Sequence, residues 1–313
     1  MKPFLLRIVL LSCILSSAGN DVFAQFFDRS RGKNVMKVVE SKVIVHVTQS
    51  PAFNERMKKA FADYWKVSPY EMYDPSKTYE RSSSESLAAF MPGIVGLTVR
   101  GHETSMNHPF FIYGEARKDG TVGDDVFIGV FPVNGFHYEF DPKAKYYFDR
   151  ALLRIPYMVY NLNDMLVYLK NKESEKGYDD YVAAKTGRLA KKTLIIPKDL
   201  LTEWDVNPAT TALMKGRVEA GQKDMKEIKA AILDEGDISY GGKFKVMSNE
   251  EILKLELSAD ASNYALFLPA INHHKYIMAF DMATKELLYF ETVTMGMRIK
   301  GKDFDKLNKA IGF

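Results

Sequence analysis

Apolar and polar positions change over in short blocks along this chain, and one block occurs twice. Residues 87–94 read LAAFMPGI and residues 264–271 read YALFLPAI; aligned on the proline, Phe90 falls on Phe267 and Ile94 on Ile271. Both are short apolar runs closed by proline, the pattern of a buried strand leaving a sheet. Each is preceded at a similar distance by a block with one charge among apolar residues: Tyr70-Glu71-Met72-Tyr73 before the first, Phe244-Lys245-Val246-Met247 before the second.

The rest of the pattern predicts matching elements around these blocks. Residues 42–47, KVIVHV, form the clearest early strand. Phe53, Met57, Ala60, Phe61, Tyr64 and Trp65 then recur at helical spacing, with Glu55, Arg56, Lys58, Lys59 and Asp63 opposite, so residues 52–65 predict an amphipathic helix. Ser50-Pro51 supplies its cap and first-turn proline. Residues 74–86 are polar, and residues 95–100 extend the strand that follows them. Residues 110–116 and 126–133 predict antiparallel neighbours, with a further strand over 136–140. Leu152, Ile155, Val159, Leu162, Leu166 and Leu169, three and four apart, predict a long core helix over 147–170, with Pro156 marking a kink or its start.

Residues 172–192 are charged and polar and read as a connector. Beyond it come a strand over 193–197, a helix over 223–233 and a strand over 243–247. Ser248 and Glu251 make a capping box for a helix through Leu257. A hairpin of 276–281 with 287–294 follows, then a closing helix over 303–311 with Phe304, Leu307 and Ile311 inward. The expected fold class is α/β (α+β). Two related mixed-sheet units stand in tandem, over 25–171 and 193–313, each with a strand-helix-strand start and antiparallel hairpins.

Residues 1–24 read as an export signal. Lys2 and Arg7 precede an apolar centre, and Val22-Phe23-Ala24 places a small residue before a cut ahead of Gln25. A lipoprotein cut at Cys13, after Leu10-Leu11-Ser12, is the competing reading; the short apolar run before it favours the unlipidated, periplasmic or secreted product. No later run is long and apolar enough to span a bilayer. Cys13 is the only cysteine, so the mature chain has no thiol chemistry and no disulfide. With 46% hydrophobic residues in 313, the chain is ample for a core, and its interspersed net charge of +3 gives no nucleic-acid footprint.

The familiar catalytic patterns are missing: there is no GxSxG, no GxxxxGK[ST] and no GxGxxG. His102, Glu103 and His108 lie close, but not at HExxH spacing. With Gly101 and Pro109 beside them they read as a polar surface loop rather than a metal site. Neither a metal nor a cofactor is expected. The aromatics crowd one region, and Phe111, Tyr113, Phe136 and Tyr138 are the candidate binding residues there. A core between sheet and helix is the favoured reading of the same rings.

The element order, carried by residues 42–47, 54–65, 70–73 and 87–94 and their counterparts in the second half, resembles the amino-terminal domain of TolB. It also resembles the related α/β modules of curli-assembly and penicillin-binding-protein-activator lipoproteins. The whole chain is also similar to exported proteins of Gram-negative bacteria. The resemblance implies an envelope module that works through protein contacts rather than catalysis. It covers topology and no site, so no functional residue is carried over. The expectation is a non-enzymatic exported protein that binds an envelope protein partner; the alternative is a hydrolase or carbohydrate-binding protein with a cleft between the halves.

Overall fold

Strand β1 (Lys42–His46) has three consecutive buried residues, Val43, Ile44 and Val45, as a strand covered on both faces requires. The structure is a computed structural model that describes residues 39–46, 50–73, 87–99, 102–116, 122–132, 145–172, 177–201, 235–271, 274–294 and 299–313. The expected leader, the strand over 136–140 and the helix over 223–233 lie outside them. Helix α1 (Pro51–Tyr64) follows β1, with the Ser50 hydroxyl accepting from the Phe53 amide and proline in the first turn. Its predicted face is the buried one, with Phe53, Met57, Ala60 and Phe61 inward and Trp65 just beyond its end.

The first sheet is completed by β2 (Tyr70–Tyr73), β3 (Leu87–Val99), β4 (His102–Ala116) and β5 (Val122–Pro132), in the order β2-β1-β3-β4-β5. Strand β1 runs parallel to β2 and β3, and β3, β4 and β5 form an antiparallel meander. Strand β3 runs through Pro92, which pairs with Phe111, and continues to Val99, in line with the expected extension over 95–100. One expectation needs correction. The stretch from His102 to Pro109 is strand rather than loop, since His102 opposes Val99 and His108 opposes Val95. Cross-strand pairing decides both outcomes, and a local reading of Gly and Pro does not contain it.

Helix α2 (Lys145–Lys172) passes through Pro156 as one element. Leu153, Ile155, Tyr157, Met158, Val159, Leu162, Met165 and Leu166 are all buried, so the helix is covered on more than the one predicted stripe. The reason is its position. One continuous core joins α1, α2 and β1 to Ile195, Leu266, Met278 and Phe280 of the second sheet. The expected connector is partly structured: α3 (Tyr178–Ala183) and a 3₁₀ turn, Thr186–Lys191, bury Tyr178, Val182 and Leu189.

The second sheet comprises β6 (Thr193–Pro197), β7 (Phe244–Met247), β8 (Tyr264–Phe267), β9 (Ala270–Ile271), β10 (His274–Asp281) and β11 (Leu287–Thr294). Its order is β11-β10-β8-β6-β7, with β9 also on β10. Here the proline block does interrupt the strand, between β8 and β9. Helix α4 (Asn249–Glu256) opens on the predicted Ser248–Glu251 capping box. Helix α5 (Gly301–Ile311) closes the other face of the sheet, with Phe304 and Leu307 in a second core that includes Leu194, Ile196, Phe267 and Ile277. Alternation is clean: Leu194 and Ile196 face α5 while Ile195 faces α2.

The two sheets share their strand order and their registers run in step. Val43 pairs with Tyr70 and Ala88; Leu194 pairs with Phe244 and Ala265. Ala88 opposes Glu115, and Ala265 opposes Asp281. Phe90 opposes Tyr113, and Phe267 opposes Ala279. The next ladder slips at the same place in each sheet. Tyr113 faces Gly129 while Gly114 faces Phe127, and Ala279 faces Tyr289 while Phe280 faces Leu287. Ile128 and Leu288 are thus the extra residues of two bulges in corresponding positions. Among the described residues no helix is long and apolar enough to cross a membrane.

Because α2 is shared, the two halves should unfold together. Leu162→Ala should cost about 2–5 kcal/mol. Denaturation of the variant should show one transition, coincident by circular dichroism and tryptophan fluorescence; two separated transitions would contradict a common core.

Candidate functional site

Three polar or concave features stand out among the described residues. The first begins with Pro156. Proline has no N–H, so the carbonyl of Leu152, four residues earlier, loses its helical donor. The Nε of Arg56 donates to that carbonyl at 3.2 Å, and its Nη2 pairs with the Glu256 carboxylate. Glu256, at the end of α4 and almost wholly buried, also holds the Lys285 ammonium at 3.0 Å. Lys285 lies in the β10–β11 turn at a φ of 69°, in the left-handed region. Its ammonium further donates to the Met282 carbonyl and sits 5.0 Å from the centre of the Tyr157 ring. Burial pushes the Lys285 pKa down, against the opposing pull of Glu256. A cavity of about 130 Å³ lies beside the cluster. Its two cations share one carboxylate and two backbone carbonyls, which suits a tie between α1, α2, α4 and the turn.

The second feature fastens the 3₁₀ turn to the same hairpin. Asp281 accepts from the amides of Ala283 and Thr284 at 3.0 and 3.2 Å, and pairs with Arg188 and Lys192, each at 3.0 Å. Arg188 also reaches Glu286 at 2.7 Å. Burial works against ionisation of Asp281, but Lys192 and the two amides outweigh it, and its pKa lies below the usual value. Glu286 is lowered likewise, with burial overcome by Arg188 and the Thr284 hydroxyl.

The third is a groove of about 340 Å³ between α3, β11 and the end of α5. Tyr178 and Val182 line it from α3, Leu287, Tyr289 and Phe290 from β11, and Ala310 from α5. Asp179 and Asp180 stand exposed at its rim. The Thr186 hydroxyl donates to the carbonyl of the bulge residue Leu288 at 2.8 Å, which holds the groove's floor. An apolar trough with acidic edges is suited to seating a side chain; it brings together no nucleophile and base.

Of the four predicted binding aromatics, two lie among the described residues. Tyr113 is wholly buried, its ring 5.7 Å from that of Trp65, so it belongs to the core rather than a binding face. Phe111 lies in β4, where it pairs with Pro92 and Phe131. Phe136 and Tyr138 lie outside the described residues. Sequence reading missed Tyr178, Tyr289 and Phe290 altogether. The spacing of Tyr178 and Val182 was the available sign, obscured by the charges around it. No family model, curated protein or solved structure matches this chain.

Glu256→Gln leaves Arg56 and Lys285 without their carboxylate and should cost about 3–5 kcal/mol by denaturant titration. Adding Lys285→Met should recover part of that loss, since the stranded ammonium is removed. The lowered Asp281 and Glu286 carboxyls contribute stability that is complete above the ordinary carboxylate range, about pH 4, and lost as pH falls through their folded values. Asp281→Asn should therefore flatten the acid side of a stability-against-pH curve; an unaltered slope would argue against this network.

Proposed function

We propose that this is an exported, non-enzymatic protein of the bacterial envelope, built from two related α/β units in tandem, that binds a partner protein. The observation that carries the tandem reading is the agreement of strand order, pairing register and bulge position between the two sheets. Two unrelated five-strand paths have no physical reason to place a bulge one step after the pair that opposes Phe90 in one and Phe267 in the other. In each half a strand lies between two parallel neighbours, and antiparallel strands follow.

Export is supported by the composition of residues 1–24, and protein binding by three things: the resemblance to TolB-type modules, the lack of catalytic patterns and the apolar groove. The rival, a hydrolase or carbohydrate binder in a cleft between the halves, has less support. Side chains of α2 fill the core that both sheets share, where such a cleft would lie.

Crosslinking of the tagged protein in its native envelope, with mass spectrometry of what co-purifies, tests the reading. A reproducible envelope partner and a mature amino terminus at Gln25 are expected. A chain that stays solitary under mild crosslinking would overturn partner binding, and a retained leader would overturn export.

A further inference from the structure

The groove beside β11 has features that narrow what it can hold. It runs along β11, which among the described residues is the outer strand of the second sheet. The bulge shapes the opening. It turns Leu288 and Tyr289 to the α5 side of the sheet, while Leu287 and Phe290 remain on the α2 side. Side chains from both faces of one strand therefore line a single trough. Thr292 lies two residues beyond Phe290 on the same strand face, and its Oγ1 is buried with no hydrogen-bond partner.

Charge selects further. The exposed rim is acidic, with Asp179 and Asp180 in the first turn of α3. Among the described residues, Lys185 is engaged with Asp164 and Glu286, and Lys306 with Glu291. A volume of about 340 Å³ is at the small end of ligand pockets, enough for one large side chain and its neighbours.

We propose that this groove takes an extended basic segment of a partner protein, with one large apolar side chain seated among Tyr178, Tyr289 and Phe290 and a flanking lysine or arginine against Asp180. The assignment rests on the partner-binding reading above and gives that partner a chemistry. It combines two recurring modes of peptide recognition, addition at a sheet edge and an apolar anchor in a pocket.

The test uses the whole mature chain and fluorescein-labelled decapeptides of glycine and serine carrying one phenylalanine, flanked by lysines, by glutamates or by serines. Anisotropy should show the lysine-flanked peptide binding most tightly, and less so as salt rises. Ala183→Trp places a ring into the groove from an exposed position on α3, and should weaken binding about tenfold or more. Asp180→Lys, on the surface, should weaken it about two- to fivefold. Equal binding of lysine- and glutamate-flanked peptides, no binding by any of them, or indifference to Ala183→Trp would overturn the proposal. The envelope crosslinking separates the two readings. A partner caught equally by wild type and Ala183→Trp places that partner elsewhere and sinks the groove while partner binding stands. No partner with wild type sinks the broader reading, and the peptides still decide the groove.

Discussion

A single missing N–H organises much of this protein. Pro156 sits inside α2, the helix packed between the two halves, and leaves the Leu152 carbonyl without its helical donor. Left bare in a core, that oxygen would cost about 1–3 kcal/mol. Arg56 meets it, and so carries a guanidinium into the joint between α1 and α2. That charge in turn requires a carboxylate, which Glu256 supplies from α4, and Glu256 draws in Lys285 from the β10–β11 turn. Each step answers an unmet group left by the one before. The sequence separation from Arg56 to Glu256 and Lys285 shows how a local backbone defect becomes a tie across the molecule.

Asn161, one turn further along α2, works in the same direction. Its amide donates to the Lys285 carbonyl at 2.8 Å and accepts from the Leu287 amide at 2.8 Å. The hairpin turn is thereby fixed to α2 through backbone on both sides of Glu286, while Asp281 fixes it to the 3₁₀ turn. This accounts for a lysine in the left-handed region, ordinarily a position for glycine or asparagine. The ammonium and the carbonyl of Lys285 are both held, so the surrounding contacts offset the backbone strain.

What was legible in the chain was whatever depends on neighbours in sequence. The Ser50 cap, the buried face of α1, the Ser248 capping box and the closing helix with Phe304 and Leu307 inward all follow from local spacing. The repeated proline block was legible too, because it is a matter of composition at a fixed offset. Its two prolines then behave differently: Pro92 sits within a long paired strand, whereas Pro269 interrupts β8 and β9. Only the partner strand decides between those outcomes. The groove was hidden for a related reason. Tyr178, Tyr289 and Phe290 come from elements more than a hundred residues apart, and the bulge that turns Tyr289 to its face breaks the period of two on which strand reading relies. Tyr113 was assigned to a binding surface by its neighbours' composition, and pairing opposite Phe90 puts it in the core.

The same packing restricts where a partner can touch the second sheet. One face is covered by α2 and the shared core, the other by α5 and the second core. Edges remain, and the described ones differ in kind. Strands β2 and β7 are short and half-buried, each exposing one charge, Glu71 and Lys245. Short edges with an outward charge resist further pairing. Strand β11 is twice as long as β7 and buries Leu287, Leu288, Tyr289 and Thr292 on its way along the edge. Helix α3 shields its beginning, where Thr186 caps the bulge, and the groove opens beside that shield. An edge guarded at one end by a short helix and left apolar beside it has the form of a place for another chain. That is why the groove, and not the charged crossing at Arg56, is the surface on which a partner is proposed to dock.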